Sequence, residues 1–244
     1  MHQNFRVFYD KVEGSSNKNF EPEEIDVILN TAQLKKVKEY AQPLNIAYPG
    51  MENTSKRVAD LSNLIKNHQT PPLAFTAENK NYKNKYRGSF YLTPDDLFIE
   101  ANEELEVQFA DCLKRLNVIP TTHDRYNKIV RNPFQNPNSD ECLKLPYGMS
   151  NNKKVVEIIT NIQIGSPVSY ILRYYKYPRY IYEGSYTPQS IPSYQGVLNL
   201  GTPQNSELSD ELCDEIIHEA VSIALETIES PRYQSQRSLE LNNN

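Results

Sequence analysis

The chain reads LSDELCDEIIHEAVSIALETI from residue 208 to residue 228. Apolar side chains recur there every three or four positions, which is typical of an amphipathic α-helix. Ser209 fits the N-cap position, and Asp210 and Glu211 follow in the first turn, where the helix dipole favours acids. Pro231 stands just beyond and is expected to end the helix. We therefore predict a long C-terminal helix with one buried face.

The first third of the chain carries helix signals as well. A first helix is indicated by apolar residues at helical spacing, namely Phe5, Phe8, Tyr9 and Val12. Pro22 fits the first turn of a second helix, which continues to Ala41 and ends at Pro43. A third helix is predicted to begin near Thr54 or Ser55, with a buried face of Val58, Leu61, Leu64 and Ile65. Three amphipathic helices predict a small bundle.

The middle of the chain is predicted to form strands. Runs that are β-branched, aromatic or alternating in polarity occupy residues 88–92, 97–101, 105–116, 155–159 and 168–175. A short helix is expected near residues 124–131, where Thr122 or Asp124 can cap it. The polar residues 67–88 are expected to form a loop or a mobile arm.

These elements together predict an α+β fold. It consists of an N-terminal helical bundle, a mainly antiparallel β-domain and a C-terminal helix that returns to the bundle. The predicted bounds are 1–68 for the helical part, 69–206 for the β-domain, 207–230 for the C-terminal helix and 231–244 for an extended tail.

Composition argues against several classes of function. The 26 basic and 31 acidic side chains give a net charge of -5, so nothing draws the whole chain to nucleic acid or to an anionic membrane. No apolar run approaches the roughly 20 residues of a membrane span, and no GxGxxG or GxxxxGK[ST] loop occurs. The four histidines and three cysteines lack metal-ligand spacing. We therefore predict no cofactor, no metal and no membrane association.

A cysteine-dependent enzyme remains an alternative. His123-Asp124 and one of Cys112, Cys142 and Cys213 form the set that a thiol catalyst needs. The favoured interpretation is that Thr122-His123-Asp124 caps a short helix and that the thiols are reduced and buried.

Aromatic and basic residues alternate in the segment 170–182. It contains Tyr170, Arg173, Tyr174, Lys176, Arg179, Tyr180 and Tyr182. Such a segment can stack bases and neutralise phosphates, which makes a nucleic-acid-binding protein the second alternative. The favoured interpretation is a pair of strands that bend at Pro178, with rings covering the sheet and cations pairing with acids of a neighbour.

The C-terminal helix is strongly acidic. Eight acids and no Lys or Arg lie between Glu207 and Glu229. We expect an acidic outer surface formed by Glu211, Asp214, Glu215, Glu219 and Glu226. This surface is either simply solvated, or complementary to a basic surface of the next subunit, or a wall that repels passing DNA.

Several segments are informative when taken together and in order. One runs from Pro120-Thr-Thr-His123-Asp124 to Asn132-Pro133-Phe134. The others are Tyr170-x-x-Arg173-Tyr174 with Pro178-Arg179-Tyr180, the acidic helix from Glu207, and Arg232-Tyr233-Gln234. This set resembles structural proteins of crAss-like and related Bacteroidetes phages, and the resemblance spans nearly the whole chain.

The resemblance implies a ring or head-to-tail adaptor subunit of a short-tailed phage, and not an enzyme. Such a protein would form a homo-oligomeric, twelve-fold ring in the neck or tail of the virion, after assembly in the bacterial cytoplasm. Its partners would be the portal protein or adjacent ring proteins, and DNA would pass through its lumen without specific binding. The residues expected at assembly contacts are His123, Arg131, Phe134, Tyr170, Arg173, Tyr174, Lys176, Arg179, Tyr180, Arg232 and Tyr233.

Overall fold

The computed structural model of the 244-residue chain describes residues 1–13, 20–41, 59–73, 81–82, 86–132, 134–137, 139–150, 153–161, 163, 165–186 and 202–228. The chain divides into two compact units. One, the helical unit, comprises Met1–Leu64 and Tyr177–Asn244, and the other, the β-unit, comprises Ile65–Lys176.

The described helices are α1 (His2–Glu13), α2 (Pro22–Ala41), α3 (His123–Arg131) and α4 (Asp210–Thr227), with a 3₁₀ turn at Ser62–Leu64. The strands are β1 (Ile65–Thr70), β2 (Asn81–Tyr82), β3 (Tyr86–Leu92), β4 (Leu97–Phe109), β5 (Cys112–Pro120), β6 (Glu141–Ser150), β7 (Lys153–Asn161) and β8 (Ser166–Lys176). The predicted combination of helices and strands is therefore present.

In the helical unit, α4 packs against α2 and α1. The Ser209 hydroxyl accepts a hydrogen bond from the Leu212 amide at 3.4 Å, which confirms the predicted N-cap. The buried face of α4 comprises Leu212, Ile216, Ile217, Ala220, Val221, Ala224 and Leu225. Next to it, the His218 ring lies 4.8 Å from the ring of Phe8 in α1.

A second face of α2 is buried although it is polar. Asp26, Asn30 and Gln33, spaced i, i+4 and i+7, are 0–4% exposed. Asn30 bonds the backbone of Ile181, and the Gln33 amide donates to the Arg179 carbonyl at 2.9 Å. The α2 helix therefore holds the extended segment 177–186 along its length, and hydrogen bonds satisfy these buried polar groups.

The β-unit contains a single eight-stranded sheet in the order β1-β8-β4-β5-β6-β7-β3-β2. Each pair is antiparallel except β5–β6, which is parallel and is connected through α3. This agrees with the predicted mainly antiparallel β-domain. Three residues beyond β1, the Leu73 amide donates to the Phe90 carbonyl of β3 at 2.8 Å. The chain leaving one edge of the sheet thus reaches a strand near the other edge.

The sheet curls around one core. Residues from six strands, β3 to β8, belong to the same buried cluster: Tyr91, Leu105, Val107, Leu116, Cys142, Val156, Ile158, Tyr170, Leu172 and Tyr174. Side chains of alternating strand positions point to the other face. There, Tyr126, Ile129 and Val130 of α3 pack on Tyr86, Leu143, Leu145 and Ile159. The α3 helix consequently covers the outside of β3, β6 and β7.

Several sequence predictions differ from the structure. The prediction of a loop or arm at residues 67–88 is wrong where β1, β2 and the start of β3 form strands. Pairing with neighbouring strands stabilises these polar residues, whose sequence alone does not indicate a strand. Residues 74–80 and 83–85 lie outside the described part. The run 105–116 is not one strand, since a turn at Ala110 and Asp111 separates β4 from β5.

Residues 42–58, among them Thr54, Ser55 and Val58 of the third predicted helix, lie outside the described part. Ala59 and Asp60 are helical, as predicted. Leu61 and Leu64 are buried as expected, but Ile65 begins β1 and is 40% exposed. Residues 177–186 and 202–206 group with the helical unit, whereas the sequence placed them in a β-domain of 69–206.

Candidate assembly surfaces

The aromatic-basic segment 170–182 is divided between the two units. Its first part lies in β8 of the β-unit, and its second part, from Tyr177, belongs to the helical unit. The rings expected to be available are instead packed inside: Tyr170, Tyr174, Tyr180 and Tyr182 are all buried. A stacking platform for bases needs exposed ring faces, so this segment does not provide one.

Each buried tyrosine of β8 has a hydrogen-bond partner. The Tyr174 hydroxyl donates to Asp96 Oδ1 at 2.7 Å, and the Tyr170 hydroxyl donates to Glu103. Burial raises the pKa of the Tyr170 hydroxyl, and the neighbouring Glu103 carboxylate raises it further. These two tyrosines are therefore buried and hydrogen-bonded within the β-unit.

The basic residues of the segment behave differently. The Arg173 and Arg179 side chains are exposed, and Lys176 is half-buried. Arg179 is fixed through its backbone, because its amide donates to Glu207 Oε1 at 3.0 Å. Arg173 and Arg179 are therefore the members of this segment that present charge to solvent.

The segment after Pro120 does reach the surface. His123 Nε2 donates to the Pro146 carbonyl at 2.6 Å, which ties the start of α3 to β6. Arg131, in the last turn of α3, is exposed. Phe134 follows it and is 95% exposed. Of the predicted contact residues, Phe134 is thus a large apolar side chain that the described fold leaves almost wholly uncovered.

The acids of α4 divide into two groups. Glu211, Asp214 and Glu226 are exposed, as the acidic surface requires. Glu215 and Glu219 instead face α2: Tyr40 donates to Glu215 at 2.5 Å, and Glu219 pairs with Lys35 and, at 3.9 Å, with Lys36. The Glu219 side chain is only 12% exposed. The acidic surface is consequently smaller than the sequence suggested, because two of its predicted members hold α4 against α2.

A charged cluster inside the β-unit was not predicted. Lys144 of β6 is 7% exposed, and its ammonium contacts Glu100, at 2.5 Å, and Glu103 of β4. The Glu103 carboxylate also accepts the hydrogen bond from Tyr170. Side chains alternate along β6, so Lys144 points to the same inward face as the buried Cys142. This alternation could have predicted the burial of Lys144 from the sequence.

The thiols do not fit the cysteine-dependent alternative. Burial, followed by the charges of Glu103 and Glu141, raises the pKa of Cys142 to about 12. Burial also raises the pKa of Cys213. Cys112 is exposed at the start of β5, so the expectation of buried thiols is wrong for this residue. A nucleophilic cysteine needs a lowered pKa and a nearby base, but His123 bonds the Pro146 carbonyl instead.

The described residues contain no cluster of His, Cys, Asp and Glu that could hold a metal ion. None of their helices is both long enough and apolar enough to cross a bilayer. The predicted contacts of Arg232 and Tyr233 lie outside the described residues.

Comparison with known proteins identifies the family. A family model described as phage tail ring protein 3/4 matches residues 1–235. The protein named ring protein 4/5 of Bacteroides phage crAss001 is 24% identical over 229 residues, covering 90% of this chain and 88% of that protein. The match spans the helical unit up to the tail as well as the β-unit, and the chain therefore belongs to the phage tail ring protein 3/4 family of virion structural proteins.

Proposed function

We propose that the protein forms a homo-oligomeric ring, twelve-fold in symmetry, within the portal-tail assembly of the virion. The ring is part of the conduit through which the genome leaves the capsid, and it stacks on the portal protein or on adjacent tail rings. The observation that carries this proposal is the family match over residues 1–235. The role is assembly and not catalysis, and the subunits assemble in the cytoplasm of the bacterial host.

The exposed acids of α4 support a position beside DNA. Glu211, Asp214 and Glu226 remain exposed after α4 has packed on α2, and no Lys or Arg occurs from Glu207 to Glu229. A conduit wall that attracted the polyanion would slow its passage, whereas a like-charged wall leaves it mobile. We propose that this strip of three acids faces the lumen.

The distance dependence of the charge effect limits where such a strip can act. At physiological ionic strength charges are screened over about 8 Å. The strip therefore influences DNA that passes close to the wall, and its effect grows as the salt concentration falls.

Mass photometry and negative-stain electron microscopy of the purified full chain test the ring directly. Twelve copies of the 28.2 kDa chain give particles of about 340 kDa with a central opening. The same measurement is made after co-expression with the other tail proteins, because a partner ring can template assembly. A chain that stays monomeric in both preparations contradicts the proposal.

A further inference from the structure

The loop after α3 presents Phe134 in a fixed position. The Phe134 amide donates to Asn132 Oδ1 at 3.0 Å. The Asn132 carbonyl accepts from the amides of Gln135, at 3.1 Å, and Asn136, at 3.0 Å. One asparagine thus ties down a tight turn with a 95% exposed phenyl ring at its tip. Isolated exposed apolar residues are common, but a turn whose backbone is already ordered loses little backbone entropy on binding, which favours a contact role.

Basic residues lie on the helix that leads into this turn. Arg125, Lys128 and Arg131 recur every third residue along α3 and are all exposed, because the opposite face of the helix packs on the sheet. Lys128 and Arg131 also complement the negative end of the helix dipole. That local role leaves their charge facing solvent, on the helix that precedes Phe134 in the chain. We call Phe134 with these three residues the basic knob.

The helical unit carries a groove of matching character. It has a volume of about 650 Å³ and lies between the first half of α2 and the end of α4. Its apolar floor contains Val27, Ile28, Ile223 and Ile228. Val27 is 54% exposed there, next to the other apolar residues of the floor. The volume falls within the roughly 300–1,000 Å³ of pockets that enclose a compact ligand.

Acids surround this apolar floor. Glu21, Glu23 and Glu24 line the groove and are exposed. Glu24 Oε2 accepts a hydrogen bond from the Glu21 amide at 3.0 Å, so one of these carboxylates also caps α2. We call the floor with its acidic margin the α2–α4 groove. An apolar ring with basic neighbours is complementary to it in both polarity and charge.

We propose that the basic knob of one subunit binds the α2–α4 groove of the next copy of this chain, with the Phe134 ring on the apolar floor. This inference rests on the proposed ring. The knob and the groove are different surfaces, so the contact is heterologous, which is the kind of interface that closes into a ring when its rotation divides the circle. The basic side chains then face the glutamates, which fixes register more than it adds affinity.

The strongest competing occupant is the segment 229–244 of the same chain. It follows directly from Ile228 at the groove and contains Arg232, Tyr233 and Arg237. Its chemistry is also aromatic and basic, so the two occupants have to be separated by experiment. We favour the knob because the Asn132 hydrogen bonds hold the backbone of the turn that carries the Phe134 ring.

Cross-linking between two co-expressed variants tests the contact. Both carry Cys112→Ser and Cys213→Ala and retain the buried Cys142. One adds Gln135→Cys beside the knob, and the other adds Thr31→Cys in the groove. A short bismaleimide is expected to give covalent dimers of one copy of each variant. The matched control replaces Thr31→Cys by Val7→Cys, an exposed position of α1 outside the groove, and is expected to give at least fivefold less product.

Further substitutions test whether the cross-link depends on the Phe134 ring and on the charges around it. Phe134→Ala in the Gln135→Cys chain is expected to lower the yield about tenfold, since truncating a central aromatic anchor has effects of that size. Arg131→Glu lowers it too, and Glu23→Lys in the Thr31→Cys chain restores it.

The outcomes separate the inference from the proposed function. Particles of ring size without a Gln135–Thr31 cross-link overturn the knob contact and leave the ring intact. A cross-link from Thr31→Cys to Tyr233→Cys that exceeds the Gln135 product assigns the groove to the C-terminal segment and overturns the inference as well. A cross-link that is unaffected by Phe134→Ala has the same consequence.

Discussion

Asn30 pairs with Ile181 as one strand residue pairs with another. Its side-chain amide donates to the Ile181 carbonyl at 2.8 Å and accepts from the Ile181 amide at 2.9 Å. Asp26 and Gln33 extend this contact one turn in each direction, since Asp26 accepts from the Glu183 amide and Gln33 donates to Arg179. The segment from Arg179 to Glu183 of the helical unit is therefore held by side chains of one helix.

Replacing Asn30 by Ala is expected to lower the free energy of unfolding by about 3 kcal/mol, because it leaves two buried backbone groups of Ile181 without partners. Chemical denaturation followed by circular dichroism measures the loss. Thr31→Ala is the matched control, since that hydroxyl is exposed and bonds only its own helix at Val27. The control is expected to change stability by less than about 0.5 kcal/mol. Equal effects of the two substitutions would contradict the assigned role.

This contact also shows where sequence reasoning stops. The spacing of apolar residues predicts α2 and α4 correctly, and Ser209 correctly indicates the N-cap of α4. The same rule assigns Asp26, Asn30 and Gln33 to solvent, because it reads polar side chains as exposed. Their burial depends on a backbone segment about 150 positions further along the chain, at a sequence separation of 151 for Asn30 and Ile181. No local pattern encodes such a partner.

The candidate surfaces illustrate the same limit. Phe134 was predicted at a contact, and the structure leaves it exposed, but the contact itself stays a prediction. Tyr170, Tyr174 and Tyr180 are expected at assembly contacts although the favoured interpretation has their rings cover the sheet, because composition alone does not distinguish a wet ring from a buried one. The structure buries all three. Glu219 was read as exposed because its partner Lys35 lies 184 positions away.

Lys144 provides a second test of stability. Lys144→Ala is expected to destabilise the protein by about 3–5 kcal/mol, because the buried Glu103 carboxylate loses its cation. The double variant Lys144→Met with Glu103→Gln removes both charges and keeps an acceptor for Tyr170. It is expected to recover at least half of that loss. Denaturation midpoints of Lys144→Met, Glu103→Gln and the double variant form the cycle, and additive effects would rule out a coupled charge cluster.

The free energy of unfolding is expected to fall on acidification because of two residues, Asp96 and His68, whose pKa values are lowered in the folded protein. Burial raises the pKa of Asp96, but hydrogen bonds from Lys66 and Tyr174 outweigh it, so the pKa lies below its usual value. Burial, against the attraction of Asp96, lowers the pKa of His68. Because both pKa values are lower in the folded state, the unfolded chain binds more protons in acid.

The His68 contribution to the free energy of unfolding is complete above about pH 6.5 and declines below it, and the Asp96 contribution declines below about pH 4. Urea midpoints between pH 8 and pH 3 measure both. Asp96→Asn is expected to flatten the acid limb and His68→Gln the limb near pH 6. Asp95→Asn controls for the loss of a surface carboxylate, because that side chain is 65% exposed. An unchanged acid limb in Asp96→Asn would refute the assignment.

The three thiols are expected to react with Ellman's reagent at very different rates. Cys112 is exposed and reacts first, Cys213 is half-buried and follows, and Cys142 reacts only after unfolding because burial raises its pKa to about 12. Absorbance at constant reagent concentration resolves the phases. The fast phase should vanish in Cys112→Ser, and guanidinium should expose all three thiols of the wild-type chain. A fast phase that persists in Cys112→Ser would show that the buried thiols are accessible.

Charge reversal on α4 tests the proposed lumen wall. Glu211→Lys, Asp214→Lys and Glu226→Lys together convert the exposed acidic strip into a basic one that attracts DNA phosphates. Virions carrying this variant are expected to release their genome several-fold more slowly, with recovery as the salt concentration rises and screening shortens the range of the attraction.

The control for this experiment is Asp111→Lys, which changes an exposed acid in the turn between β4 and β5. Electron microscopy first establishes that both variants assemble, so that a slow release is not a defect in the ring. Release kinetics are then followed by a dye that fluoresces on binding free DNA. If the triple variant assembles and releases DNA at the wild-type rate at low salt, the acidic strip does not face the lumen, because three cations in contact with the passing polyanion would each have to be displaced.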